Sequence, residues 1–173
     1  MHWPAPGSWG APTYLWGPSG CGKTHLLHGL ALRAHAQGWH VIWLGRRGVQ
    51  SWGNGEGDAA TLVLMDDCQD LDEQQQHWAF NLFIESAAAN TLGEREGGGC
   101  RAPLAIVAAG HCPPVDLPVR EDLRTRLGWG LVFAVAPLDD EGMSAALIHE
   151  CQRRGVRVGE GVVPYLMTHF RRD

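Results

Sequence analysis

The sequence predicts a three-layer α/β domain built on a parallel sheet and followed by a small helical lid, and three observations carry that prediction. Gly17-Pro18-Ser19-Gly20-Cys21-Gly22-Lys23-Thr24 lies between the apolar run Tyr14-Leu15-Trp16 and a helical stretch. That is the strand, glycine loop and helix order of a phosphate-binding loop. Continuous apolar runs at 61–65 and 104–109 read as central strands covered on both faces. After Pro137 two helical stretches follow with no strand between them, so the expected division is a nucleotide-binding core at 1–136 and a partial lid at 137–173.

In chain order, residues 1–11 are rich in Pro, Gly and Trp and read as an irregular lead-in. A first strand is expected at about 13–16, and the helix after the glycine loop runs to about Gln37, where Gly38 supplies the stop. Trp39–Leu44 is a second buried strand, and the polar, glycine-rich stretch from Gly45 to Asp58 reads as a surface loop. Thr61–Met65 ends in Asp66-Asp67, carboxylates at the C-terminal end of a parallel strand. Asp72 is placed to cap a helix that runs through Trp78, Leu82 and Phe83 to about Asn90. An exposed loop at 91–101 leads to the strand Leu104–Ala109, a Pro-rich turn at 113–118, a short helix Glu121–Leu127 and a strand Leu131–Val135. Asp139–Arg154 is an amphipathic helix with Met143, Ala146, Leu147 and Cys151 on one side, and 159–170 is a shorter one.

Composition narrows the function classes. The 173 residues have room for one domain, and 45% hydrophobic residues supply a packed core. A formal net charge of −5 excludes a protein that coats nucleic acid through bulk positive charge. Five cysteines, at 21, 68, 100, 112 and 151, form no C-x-x-C pair, which reads as a reduced cytoplasmic chain without disulfide framework or zinc site. The N-terminus has no signal-peptide pattern and no apolar run approaches a membrane span, so no membrane partner is expected.

The chemistry centres on the glycine loop. Glycines 17, 20 and 22 permit positive φ and let backbone N–H groups approach an anion. A helix N-terminus favours negative charge, Lys23 reaches β- and γ-phosphates, and the Thr24 hydroxyl is a ligand for Mg²⁺. The expected cofactors are therefore ADP or ATP with Mg²⁺, held by Gly17, Pro18, Ser19, Gly20, Cys21, Gly22, Lys23, Thr24 and His25. Of the two acids, Asp66 is assigned to the metal and Asp67 to polarising water. A second polar cluster, Arg120–Gly130, puts Arg124 and Arg126 on a short helix, either as solvated surface arginines or as one reaching a neighbour's phosphate. Trp129 reads as core packing.

The order of these features resembles AAA+ ATPases of the DnaA initiator clan, most closely its regulatory inactivators. The matching segments are 14–27 (YLWGPSGCGKTHLL), 62–67 (LVLMDD), 75–83 (QQHWAFNLF), 113–130 (PPVDLPVREDLRTRLGWG) and 170–173 (FRRD), so the likeness spans nearly the whole chain. The resemblance implies that Arg126 acts in trans on ATP held by the DnaA initiator, that Arg172 is the lid arginine contacting nucleotide phosphates, and that His111 holds the sensor position. It implies a nucleotide-switched regulator that inactivates the initiator together with the DNA sliding clamp, touching DNA only indirectly and turning over its own nucleotide weakly. An ATP-hydrolysing helicase loader is the alternative. The family's N-terminal clamp-binding peptide and adenine-enclosing residues have no counterpart before Thr13, and the chain stops where a last lid helix is expected, so truncation at both ends is expected.

Overall fold

A computed structural model describes residues 11–46, 48–53, 59–92 and 102–169. Among the described residues six strands form one sheet: β1 (Thr13–Trp16), β2 (His40–Gly45), β3 (Gly48–Trp52), β4 (Thr61–Met65), β5 (Leu104–Gly110) and β6 (Leu131–Ala134), in the order β3-β2-β4-β5-β1-β6. Every pairing is parallel except β2 with β3. The helices are α1 (Lys23–Ala36), α2 (Glu73–Leu92), α3 (Glu121–Leu127), α4 (Asp140–Arg153) and α5 (Val162–His169).

The sheet separates two apolar clusters, which makes the core three layers deep. On one face Leu27 and Ala34 of α1 meet Val41, Leu62, Leu64 and Val107. On the other, Ala79, Leu82 and Phe83 of α2 and Leu123 and Leu127 of α3 meet Tyr14, Val63, Met65 and Ile106. Successive residues of β4 therefore serve opposite clusters, which is why its sequence is apolar throughout. Asp72 accepts from the backbone N–H of Gln75 at 2.8 Å while Gln75 Oε1 accepts from the N–H of Asp72 at 2.9 Å, a reciprocal cap at the start of α2.

Two expectations are corrected. Part of the surface loop expected after Gly45 is the edge strand β3, paired antiparallel to β2 with Gly45 opposite Gly48. Gly48 has φ +87°, a value glycine adopts without steric cost in a tight hairpin. Val49 and Trp52 are 54% and 40% exposed, so the strand lacks the buried alternation that marks a strand in sequence. Trp129, expected in the core, is 73% exposed. The loop expected at 91–101 lies outside the described residues except for Thr91 and Leu92, which continue α2.

Past β6, α4 and α5 pack on each other. Asp139 caps α4 by accepting from Gly142 N–H at 2.7 Å. Met143, Leu147 and Cys151 are partly buried and Ala146 is exposed. Helix α5 begins at Val162, later than the expected 159, because Gly161 with φ +91° precedes it. Among the described residues no helix is long and apolar enough to cross a membrane.

Candidate functional site

The glycine loop joins the C-terminal end of β1 to α1. Gly20 and Gly22 have φ +76° and +98°, and a Cβ on Gly22 would meet nothing within 4 Å, so this part of the loop opens on free space. Gly17 is different from the sequence reading. It is not among the residues with positive φ, and its N–H donates to Gly110 O at 3.3 Å. A Cβ there would run into the carbonyl of Val135. Gly17 is thus required by the close passage of the chain leaving β6, and its N–H is already engaged in the sheet.

Lys23 is buried, and its Nζ donates to Gly17 O at 2.9 Å and Pro18 O at 2.8 Å, with Cys21 Sγ at 3.5 Å. A buried ammonium needs acceptors, and loop carbonyls supply them. Reaching a phosphate from this position requires the side chain to exchange those carbonyls for phosphate oxygens. Cys21 is itself buried, facing the interior beneath Gly17.

A cleft of about 540 Å³ opens over the loop, lined by Ser19, Gly20, Gly22, Lys23, Thr24 and His25 on one side. Asp67, Gln69, Asp70, His111 and Arg46 line the other. Gly17, Pro18 and Cys21 lie behind this wall. Next to it a hollow of about 330 Å³ shares Thr24, Asp67 and Arg46 and adds Asp66, His28, Trp43 and Gln50. His28 stacks on Trp43 with ring centroids 4.4 Å apart.

Asp66 is 8% exposed and Asp67 turns away from it in the left-handed region, with φ 48°. Both carboxylates line the smaller hollow, and Asp67 also lines the cleft over the loop. Burial pushes the Asp66 carboxyl above its ordinary range, opposed by the hydrogen bond from the Thr24 hydroxyl and by the N–H of Asp67 at 3.1 Å. Asp67 Oδ1 accepts from Gln69 Nε2 at 3.2 Å. A hydroxyl and a buried carboxylate lining one hollow beside the glycine loop are hard oxygen donors of the kind Mg²⁺ takes, so the residues present fit that ion. No cluster of three or more His, Cys, Asp or Glu side chains suited to a metal occurs among the described residues.

Arg126 lies elsewhere. Its guanidinium sits 4.5 Å over the ring of Trp129 and 5.9 Å from that of Phe80 on α2. The chain from Trp129 enters β6 where Leu131 N–H donates to Pro12 O at 2.8 Å, beside the start of β1. Gly17 follows the other end of β1. A strand of four residues spans about 13 Å, and α3 packs with α2 on the sheet face opposite α1. The geometry keeps Arg126 away from its own chain's phosphate loop. Arg172 lies outside the described residues. Sequence reasoning passed over Arg46 and Asp70, which only the β2–β3 hairpin and the turn after β4 bring to the cleft.

A mostly parallel sheet with a glycine loop after its first strand and acids after a central one is the fold of AAA+ P-loop ATPases. Solved structures of DnaA share it. DnaA bound to AMPPCP and single-stranded DNA superposes with a TM-score of 0.66 at 20% identity, covering 95% of this chain and 52% of that one. Domain III of Thermotoga maritima DnaA gives 0.66 at 19% identity, over 94% and 69% of the two chains.

In sequence the chain is 26% identical over 176 residues to the chromosomal replication initiator protein DnaA of Symbiobacterium thermophilum. The match takes in 92% of this chain and is homology to the AAA+ region of DnaA. The chain spans 36% of that relative's length. No family model matches the chain.

Proposed function

We propose that the chain is a nucleotide-switched AAA+ regulator of replication initiation, a relative of the DnaA regulatory inactivator Hda, whose output is Arg126 acting on ATP held by DnaA. In this reading Gly20, Gly22, Lys23, Thr24 and His25 hold the phosphates of ADP or ATP, with Gly17, Pro18, Ser19 and Cys21 shaping the loop. Thr24 and Asp66 hold Mg²⁺, which when bound neutralises charge on the phosphate oxygens. Residues 137–173 form part of a lid over a core at 1–136, and Arg172 contacts the nucleotide from it. The site of action is cytoplasmic, on DnaA beside the DNA sliding clamp, with DNA reached only through these partners.

One observation carries the reading: Arg126 is held over Trp129 at 4.5 Å, at the sheet end remote from the chain's own glycine loop. An arginine held away from its own chain's loop supports a role on a nucleotide of another subunit. Contacts with Trp129 and Phe80 restrict the guanidinium, which lowers the entropy lost when it meets a phosphate.

A second reading, an ATP-hydrolysing helicase loader, draws on Asp67, which lines the phosphate cleft with its carboxylate oriented by Gln69. Turnover by the isolated protein separates the two. Multiple-turnover hydrolysis abolished by Asp67→Asn supports the loader, whereas tight nucleotide retention with negligible turnover supports the switch.

A further inference from the structure

We propose that Arg46 is the group that distinguishes a bound nucleoside triphosphate from a diphosphate, held back by Asp70 until a terminal phosphate displaces it. This deepens the nucleotide reading above and rests on it. Arg46 directly follows β2, whose last residues pair with the end of β4, Leu44 opposite Met65. It therefore stands beside the Asp66-Asp67 pair. It lines both the phosphate cleft and the neighbouring hollow that contains Asp66 and Thr24.

The charges in the cleft give this position its meaning. Asp67 and Asp70 line it, and Lys23 and Arg46 are the lysine and arginine among its lining residues. Lys23 is tied to the carbonyls of Gly17 and Pro18 at the floor of the loop. A diphosphate ends over that loop, within reach of Lys23. A third phosphate extends beyond it toward the strand-end acids, where an uncompensated anion is repelled and Arg46 is the arginine among the described lining residues.

Arg46 is built to move there. Its Nε lies 3.4 Å from Asp70 Oδ2, and the two side chains are 74% and 40% exposed. A pair this exposed and this long is weak and exchanges readily. The pairing is through Nε, so turning the side chain brings the planar Nη fork onto phosphate oxygens in the two-pronged manner lysine lacks. The backbone beneath it is pinned: Gln75 Nε2 donates to Gly45 O at 3.3 Å and Asp66 N–H donates to Leu44 O at 2.8 Å. Asp70 is fixed in turn on a short 3-10 turn, its N–H donating to Asp67 O at 2.8 Å. A fixed base with a movable tip suits a sensor. Negative charge arriving at the terminal phosphate repels Asp70 and attracts Arg46, so both forces act in one direction.

The test titrates the full chain with fluorescent ADP and with a fluorescent, non-hydrolysable ATP analogue, each with Mg²⁺, and records thermal melts alongside. Arg46→Gln is expected to weaken the triphosphate about tenfold, the loss of one charge-assisted contact, while diphosphate affinity stays within about twofold. Arg46→Lys is expected to fall between, keeping the charge without the fork. Asp70→Asn is expected to tighten the triphosphate, and that gain is expected to shrink when Arg46→Gln is added, because release of Arg46 is part of it. Equal weakening of both nucleotides by Arg46→Gln, or no change in either, overturns the assignment. Wild-type protein that binds neither nucleotide overturns the nucleotide reading as well, so the two failures are distinguishable.

Discussion

The guanidinium carbon of Arg126 lies over the Trp129 ring, 4.5 Å from its centroid, and Trp129 is 73% exposed. A single exposed aromatic is ordinary on a protein surface, but this one has a cation beside it. Besides lying over this ring, the same guanidinium has the ring of Phe80 at 5.9 Å.

That arrangement fixes what Trp129→Ala does. Removing an exposed cation–π partner costs about 0.5–1 kcal/mol, whereas truncating a buried tryptophan costs about 3–5 kcal/mol. Urea unfolding is expected to show the smaller loss, together with a clear reduction in any effect on a partner's ATP. A loss of several kcal/mol contradicts the exposed placement.

Gly17→Ala separates packing from phosphate binding. The added methyl meets the Val135 carbonyl, and forcing such a contact costs about 1–3 kcal/mol. The melting temperature is expected to fall by about 2–4 °C for each kcal/mol with no ligand present. Gly22→Ala meets open space but must hold φ +98°, a left-handed strain of about 1–2 kcal/mol. Both costs are expected in the apo melt, and Gly22→Ala is expected in addition to weaken nucleotide binding, because its methyl stands in the open space over the loop.

Asp66 sets stability against function. Its carboxyl is pushed up by burial, so the protonated form is the one the fold favours. A raised folded value means the contribution is present below the unfolded carboxylate range and lost as pH rises through the folded value. Without nucleotide or Mg²⁺, Asp66→Asn is expected to be as stable as wild type or about 1 kcal/mol more stable at neutral pH. The gap is expected to close as pH falls through the carboxylate range. With Mg²⁺ and ADP the order reverses, because wild type alone gains the full ligand stabilisation. Thermal melts over pH, with and without Mg²⁺ and ADP, check all three statements.

Much of this was legible in the sequence for local reasons. The runs at 61–65 and 104–109 are apolar on both faces because both clusters need them, and Asp72 with Gln75 carries its cap within four residues. The β2–β3 hairpin was hidden because an exposed edge strand has no buried alternation to display. Gly17 was assigned to the phosphates, but the residue that demands its missing side chain, Val135, lies on another strand's exit. A Cβ on Gly130 likewise runs into the Pro12 carbonyl, a contact no local pattern announces. Trp129 was placed inside because tryptophan is mostly buried, and only the fold shows it facing Arg126 at the rim. Arg46 and Asp70 stand 24 residues apart in the chain and meet at 3.4 Å only through the sheet.

In the proposed function Arg126 works on another protein's ATP. The direct measurement is single-turnover hydrolysis of ATP preloaded on DnaA, with sliding clamp and DNA present, after addition of this chain or its Arg126→Ala variant. Wild type is expected to accelerate phosphate release and Arg126→Ala to lose that acceleration, with its own nucleotide affinity unchanged and a melting temperature lower only by the few degrees that loss of the ring contacts costs. Acceleration that survives in Arg126→Ala, or its absence with well-folded wild type, contradicts the claim.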